Sequence, residues 1–217
     1  MARESERATL SDDADVEAWW TADADVTGRL VAAIAFGCAR APALNARIDP
    51  ALGRFERLRS VDIGVVVDTA QGAVIPVLCD IAHTSVVEIR RRLTELRKLV
   101  ASGPCAPSIT FVNFGKVAGR YAELPVPPDQ AGLVAAGQVF LRATEKDGHV
   151  VQHHMLPLSV SFDLRACGVG DAATFLAAMK ADLAKPELPL TRGWRAQANE
   201  AAPDEGPRNA RSPRGRT

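Results

Sequence analysis

The chain has 217 residues, 47% hydrophobic and 24% charged, enough for one large domain with its own core. Lys+Arg and Asp+Glu both total 26, so the summed charge gives no reason to expect nucleic acid or an anionic membrane as partner. The longest apolar run, near residues 30–36, is far short of the roughly 20 residues that span a bilayer.

Residues 1–20 open polar and acidic, and this segment is expected to be mobile. Its start carries charge but no apolar stretch behind it, so a secretory signal is not expected there. Trp19 and Trp20 are the first apolar feature and must pack on their own domain or a neighbouring subunit. Val26, Leu30, Val31, Ile34 and Cys38 recur at helical spacing, with Asp25 or Thr27 as N-cap and Pro42 as the stop. Val61, Ile63, Val65 and Val67 alternate with Asp62, Gly64, Val66 and Asp68 as a strand. A second short strand returns over residues 73–78, with Pro76 marking an edge or a bulge.

Ser85 and Glu88 fit a capping box, and the helix they start aligns Val86, Ile89, Leu93, Leu96 and Val100 on one face. Arg90, Arg91, Arg92, Arg97 and Lys98 lie mostly off that stripe. Such a face could bind an anion, but it reads first as the solvated side. Residues 108–114 form a third strand, ending at Asn113-Phe114-Gly115, and residues 121–129 are proline-rich and extended. Two long strands, over 133–144 and 150–163, are joined by an Asp147-Gly148 hairpin turn. In the second of them Leu156, Leu158, Val160 and Phe162 point one way, and Pro157, Ser159, Ser161 and Asp163 the other. Gly168 and Gly170 then turn the chain, and Asp171 caps a helix bearing Phe175, Leu176, Met179 and Leu183. Residues 191–217 are rich in Arg, Pro and Gly and read as a disordered tail. The pattern argues an α/β sandwich with a mixed, largely antiparallel sheet. The four cysteines, Cys38, Cys79, Cys105 and Cys167, show no metal-ligand spacing and read as reduced thiols of a cytoplasmic protein.

Several stretches together resemble the catalytic domain of the 2-oxoacid dehydrogenase acyltransferases. They are Pro42-Ala-Leu-Asn45, Val61-Asp-Ile-Gly-Val-Val-Val-Asp-Thr69, Gly72-Ala-Val-Ile-Pro-Val77, Ser108-Ile-Thr-Phe-Val-Asn-Phe-Gly115, Pro127-Pro128 and Leu156-Pro-Leu-Ser-Val-Ser-Phe-Asp163. The resemblance implies a chloramphenicol acetyltransferase-like two-layer sandwich over residues 21–190, shortened at its N-terminal arm. It also implies a homotrimer whose active sites lie in channels between subunits, with coenzyme A entering from one side and a lipoyl thioester from the other. No lipoyl or subunit-binding segment is expected ahead of it, and a bare trimer is expected in preference to a cage.

In the family, a histidine after the aspartate at the end of the last strand takes the thiol proton, in the pattern Asp-His-Arg-x-x-Asp-Gly. A serine or threonine before the Asn-x-Gly turn donates to the developing oxyanion. The chemistry needs a base poised near neutral pH and a donor aimed at the tetrahedral oxygen. This sequence departs at each of these positions. Leu164 stands for the base, Gly168 and Val169 for the aspartate and glycine, and Val112 for the hydroxyl, while Asp163, Arg165 and Asn113 are retained. His153 and His154 lie some ten residues upstream of Leu164, ~30 Å along a strand, and His83 and His149 read as exposed. Cys167 lies in the same loop and is the one side chain there that could in principle accept an acyl group. The expected role is a catalytically inactive scaffold, regulatory or inert core subunit, partnered by an active acyltransferase paralogue or other 2-oxoacid dehydrogenase subunits, with coenzyme A or an acyl-coenzyme A as ligand. The alternative is an active coenzyme A-dependent acyltransferase with a rebuilt site.

Overall fold

The computed structural model describes residues 6–49, 54–69, 72–99, 105–117 and 119–186. The elements run β1 (Arg7–Asp15), α1 (Val26–Arg40), β2 (Ala46–Asp49), β3 (Arg54–Arg57), β4 (Ile63–Val65), β5 (Val67–Thr69), β6 (Gly72–Val74) and β7 (Val77–Leu78). They continue with α2 (Val86–Leu99), β8 (Ile109–Asn113), β9 (Gly132–Ala136), β10 (Phe140–Lys146), β11 (His149–Asp163) and α3 (Val169–Leu183). Among the described residues the main sheet holds seven strands in the order β1-β11-β9-β8-β4-β7, with β10 also on β11. Only β8 pairs in parallel, with β4 and β9. The sheet is mixed and largely antiparallel, as expected.

The periodicity of β11 explains its place. Leu156, Leu158, Val160 and Phe162 enter the main core together with Leu30, Ile34, Phe175 and Met179 of the two long helices. Gly37 lets α1 and α3 approach: a Cβ there would lie 2.8 Å from the Phe175 ring. The opposite face of β11 is buried as well. Ser161 Oγ is 2.8 Å from Thr9 Oγ1 and Ser159 Oγ is 2.9 Å from Ser11 Oγ, a hydroxyl ladder to β1. That pairing corrects the reading of the N-terminal segment as mobile. Residues 7–15 form an edge strand in register from Arg7 opposite Asp163 to Asp15 opposite Met155. Their polar alternation serves a polar sheet face.

Asp25 caps α1, its Oδ1 accepting from the Gly28 amide at 3.3 Å. Ser85 Oγ accepts from the Glu88 amide at 3.3 Å, as the capping box requires. The Arg-rich face of α2 is balanced locally: Arg90 pairs with Asp25, Arg91 with Glu88 and Glu95, and Arg92 with Glu88. The side chains of Arg97, Lys98 and Val100 lie outside the described set. The strand expected over 61–68 breaks at Val66. β4 stays in the main sheet, whereas β5 leaves it to form a separate hairpin with β6, and Pro76 separates β6 from β7. The long strand expected over 133–144 breaks between Ala136 and Phe140, where β9 gives way to β10. The hairpin turn does form at Asp147 (φ 53°) and Gly148 (φ 76°). α3 starts at Val169, earlier than expected, with Gly168 as N-cap and Asp171 at the third position accepting from the Gly168 amide at 3.0 Å. The segment 191–217 lies outside the described residues. No described helix is long and apolar enough to cross a membrane.

Candidate active site

Two loops carry the positions singled out in the sequence. The first closes β11. Asp163 is buried, and its carboxylate accepts from the Arg165 amide at 2.9 Å, from Nε at 2.9 Å and from Nη2 at 2.6 Å. Burial by itself would raise the Asp163 carboxyl, but these hydrogen bonds and the charges of Arg165 and Arg7 outweigh it and hold the group below the usual carboxylate range. The pair therefore fixes the bend of the loop and is spent within it. Leu164 follows with its side chain 40% exposed, and Val169 at the head of α3 is 53% exposed. Neither side chain has an atom that can accept a proton. Around Gly168 a Cβ would meet nothing nearer than Asp171 Oδ2 at 3.8 Å, so space for a side chain exists where none is present.

Cys167 turns inward from this loop, its sulfur 3.8 Å from the Asp163 carbonyl. Burial, then the charges of Asp171 and Asp163, push its thiol up to about 12. At neutral pH it is held as the thiol, the form that neither attacks a thioester nor takes a proton.

The second loop closes β8. Asn113 Oδ1 accepts from the Gly115 amide at 3.1 Å and Nδ2 donates to Thr27 Oγ1 at 3.2 Å, tying the turn to the first turn of α1. Val112 is half-buried against a small apolar cluster of Val126, Leu133 and Ala135 on the face away from the helices. It offers no donor. Gly115 and Gly137 are needed for close backbone approach. A Cβ on Gly115 would lie 2.4 Å from the Gly137 carbonyl oxygen, and one on Gly137 would lie 2.1 Å from that of Arg120. This three-way crossing is what interrupts the line between β9 and β10.

The registers place these two loops at opposite ends of the sheet. Asp163 accompanies Ala131 through its amide, next to the Ile109–Gly132 pair, whereas Val112 pairs with Ala135, which pairs with Ser159. Leu164 and Val112 are thus separated by about five residues of strand, roughly 17 Å. One chain does not bring them together. The histidines are further off still: His153 Nδ1 is 2.6 Å from Asp15 Oδ2, and His154 Nδ1 is 2.7 Å from Glu17 Oε2 with its ring against Trp20. His83 and His149 are exposed.

A sequence model described as 2-oxoacid dehydrogenases acyltransferase (catalytic domain) matches residues 6–191. The chain belongs to this acyltransferase family. It is 28% identical over 165 residues to the dihydrolipoyllysine-residue acetyltransferase component of the pyruvate dehydrogenase complex of Mycoplasma capricolum, a match covering 73% of this chain and 38% of that protein. The chain therefore spans well under half the length of this curated relative. Its fold superposes on the cubic core of a pyruvate dehydrogenase multienzyme complex with a TM-score of 0.72 at 22% identity, covering 83% and 82% of the two chains. Chloramphenicol acetyltransferase gives 0.58 at 12% identity, covering 82% and 88%. The acyltransferase fold begins inside the segment read as a mobile N-terminus, since the family match starts at residue 6.

The arrangement leaves one further grouping that the sequence reading missed. Cys79 and Cys105 form a disulfide, which corrects the expectation of four reduced thiols; Cys38 and Cys167 are the free, buried pair. The cysteines are 26 residues apart, so spacing gave no signal. Topology brings them together. β7 runs antiparallel to β4 and β8 runs parallel to it, so the residue after β7 and the approach to β8 meet at the start of β4, beside Asp62.

Proposed function

We propose that this chain is a catalytically silent member of the acyltransferase family, a trimeric scaffold or inert core subunit of a cytoplasmic 2-oxoacid dehydrogenase-type assembly. One observation carries the reading: the loop that ends β11 holds Leu164, partly exposed, at the base position, and the thiol beside it, Cys167, is buried and stays protonated. A coenzyme A thiol placed against Leu164 would meet no histidine there, with the Asp163 carboxylate engaged by Arg165 and that of Asp171 by the Gly168 amide, and a tetrahedral oxygen placed against Val112 would meet no donor from that side chain. The residues present do not fit coenzyme A as a reacting group. The 17 Å between the two loops supports the trimer, because any site that combines them must draw them from different chains. Leu164 and Val169 instead present an apolar surface at that loop.

The test is thiol release from acetyl-coenzyme A with dihydrolipoamide as acceptor. Wild type and Cys167→Ala are both expected to stay at the buffer rate. The variant combining Leu164→His, Gly168→Asp, Val169→Gly and Val112→Ser is expected to rise above it. The exposure of Leu164 and Val169 and the open space at Gly168 accommodate the three loop changes. Turnover by the wild type that disappears in Cys167→Ala would overturn the silent reading in favour of a rebuilt nucleophile.

A further inference from the structure

Asp62, Cys79 and Cys105 lie on three separate segments, yet one carboxylate oxygen and the two sulfurs all fall within 4.8 Å of one another. The aspartate is buried and its orientation is fixed. Oδ1 accepts from the Asp80 amide at 2.8 Å, and Oδ2 accepts from Ser60 Oγ at 3.1 Å. Asp80 itself adopts a left-handed backbone (φ 49°), the conformation in which its amide reaches the carboxylate. Each oxygen retains a lone pair beyond the bond it already accepts. Ser108 Oγ, close by, donates to the Asp62 carbonyl at 3.0 Å and accepts from its amide at 3.3 Å, so the backbone beneath the cluster is pinned too. Arg92 brings a cation to the same place, Nη1 donating to the Cys79 carbonyl at 3.3 Å.

A disulfide needs none of this. Two thiolates beside a buried, hydrogen-bonded carboxylate are instead the donor set of a thiophilic divalent cation, with ligands oriented by an outer layer of hydrogen bonds. Two sulfurs on a tetrahedral zinc stand roughly 3.8 Å apart at about 2.3 Å per bond. The Cα atoms of Cys79 and Cys105 are 6.2 Å apart, a spacing that lets the sulfurs separate by side-chain rotation. We propose that the reduced chain binds one zinc ion through Cys79 Sγ, Cys105 Sγ and an Asp62 carboxylate oxygen, with water in the fourth position, and that the disulfide is the metal-free, oxidised form of the same site.

The interconversion balances. Loading exchanges two thiol protons for one zinc ion. Oxidation by a low-molecular-weight disulfide moves two electrons from the cysteine thiolates to that disulfide. Its S–S bond breaks to give two thiolates, the Cys79–Cys105 bond forms, and zinc leaves. The site does not use Leu164, Val112 or the loop at Asp163, so it stands apart from the proposed silence of the acyltransferase.

The experiment uses the full chain, reduced or oxidised, equilibrated with zinc and desalted. The reduced protein is expected to retain one equivalent and the oxidised protein none. Cobalt in place of zinc should add a thiolate-to-metal charge-transfer band only to the reduced form. Asp62→Asn should weaken zinc binding at least about tenfold, and Cys38→Ala with Cys167→Ala should leave it unchanged. Should the cysteine variants fail to fold, alkylation of the reduced wild type decides the matter: zinc should protect Cys79 and Cys105 from iodoacetamide, read by peptide mass. Equal zinc in both redox states, or no protection of these two cysteines, overturns the proposal.

Discussion

At the scale of single residues, the loop from Asp163 to Val169 separates what the fold requires from what catalysis requires. Asp163 and Arg165 have a structural task, since four hydrogen bonds from three donors of Arg165 to one buried carboxylate hold the end of β11. Leu164 has no such task, and it is only partly covered. The aspartate makes a prediction with a definite sign. Its carboxyl is lower in the folded chain than the unfolded value of about 3.9, so its stabilisation is complete above that value and is lost as pH falls through the lower folded value. Asp163→Asn should therefore cost about 1–3 kcal/mol at neutral pH, and wild type and variant should converge only as pH falls through the lowered folded value. Urea unfolding across that range measures it, and a gap that widens in acid would contradict the assignment. The departures in this loop were legible in the sequence because they sit within a short fixed pattern. The burial of Cys167 was not, because a loop residue's direction depends on the turn that carries it.

At the scale of elements, β1 is hidden in the sequence because its chemistry is supplied by distant partners. β1 looked mobile because Thr9, Ser11 and Asp13 are polar, but the first two meet serines of β11 and Asp13 Oδ1 accepts from Tyr121 Oη at 2.6 Å. Polarity facing polarity across a register is invisible until the register is known. The disulfide was hidden for a similar reason, since only the insertion of β4 between β7 and β8 brings its cysteines together. By contrast, α1, α2 and the Asp147-Gly148 hairpin were legible, because caps and turns are local. The break between β9 and β10 has a single steric cause that can be tested. Gly137→Ala should destabilise the protein by about 1–3 kcal/mol, since its Cβ would press on the Arg120 backbone, which has no flexible end to yield. Gly170→Ala, which meets nothing within 4 Å, should be neutral or slightly stabilising. Equal thermal midpoints for the two variants would remove the crossing as the cause.

At the scale of the whole molecule, the geometry of one chain is an argument about several. Leu164 and Val112 occupy the ends of a sheet whose central strands β11, β9 and β8 are rigidly registered, so no loop movement brings them together. In the proposed trimer the two positions would face each other only across a subunit boundary. The apolar side chains at Leu164 and Val169, exposed in the isolated chain, would then line that boundary. The proposed silence leaves no activity by which to detect the assembly, so mass must report it. Light scattering on the eluting protein should give three times the 23.1 kDa chain, and Leu164→Glu should weaken the trimer by placing a charge at the boundary. A monodisperse wild-type monomer at micromolar concentration would remove the inter-subunit channel. A trimer unaffected by Leu164→Glu would place that loop away from the contact, leaving the assembly intact but the shared site unsupported.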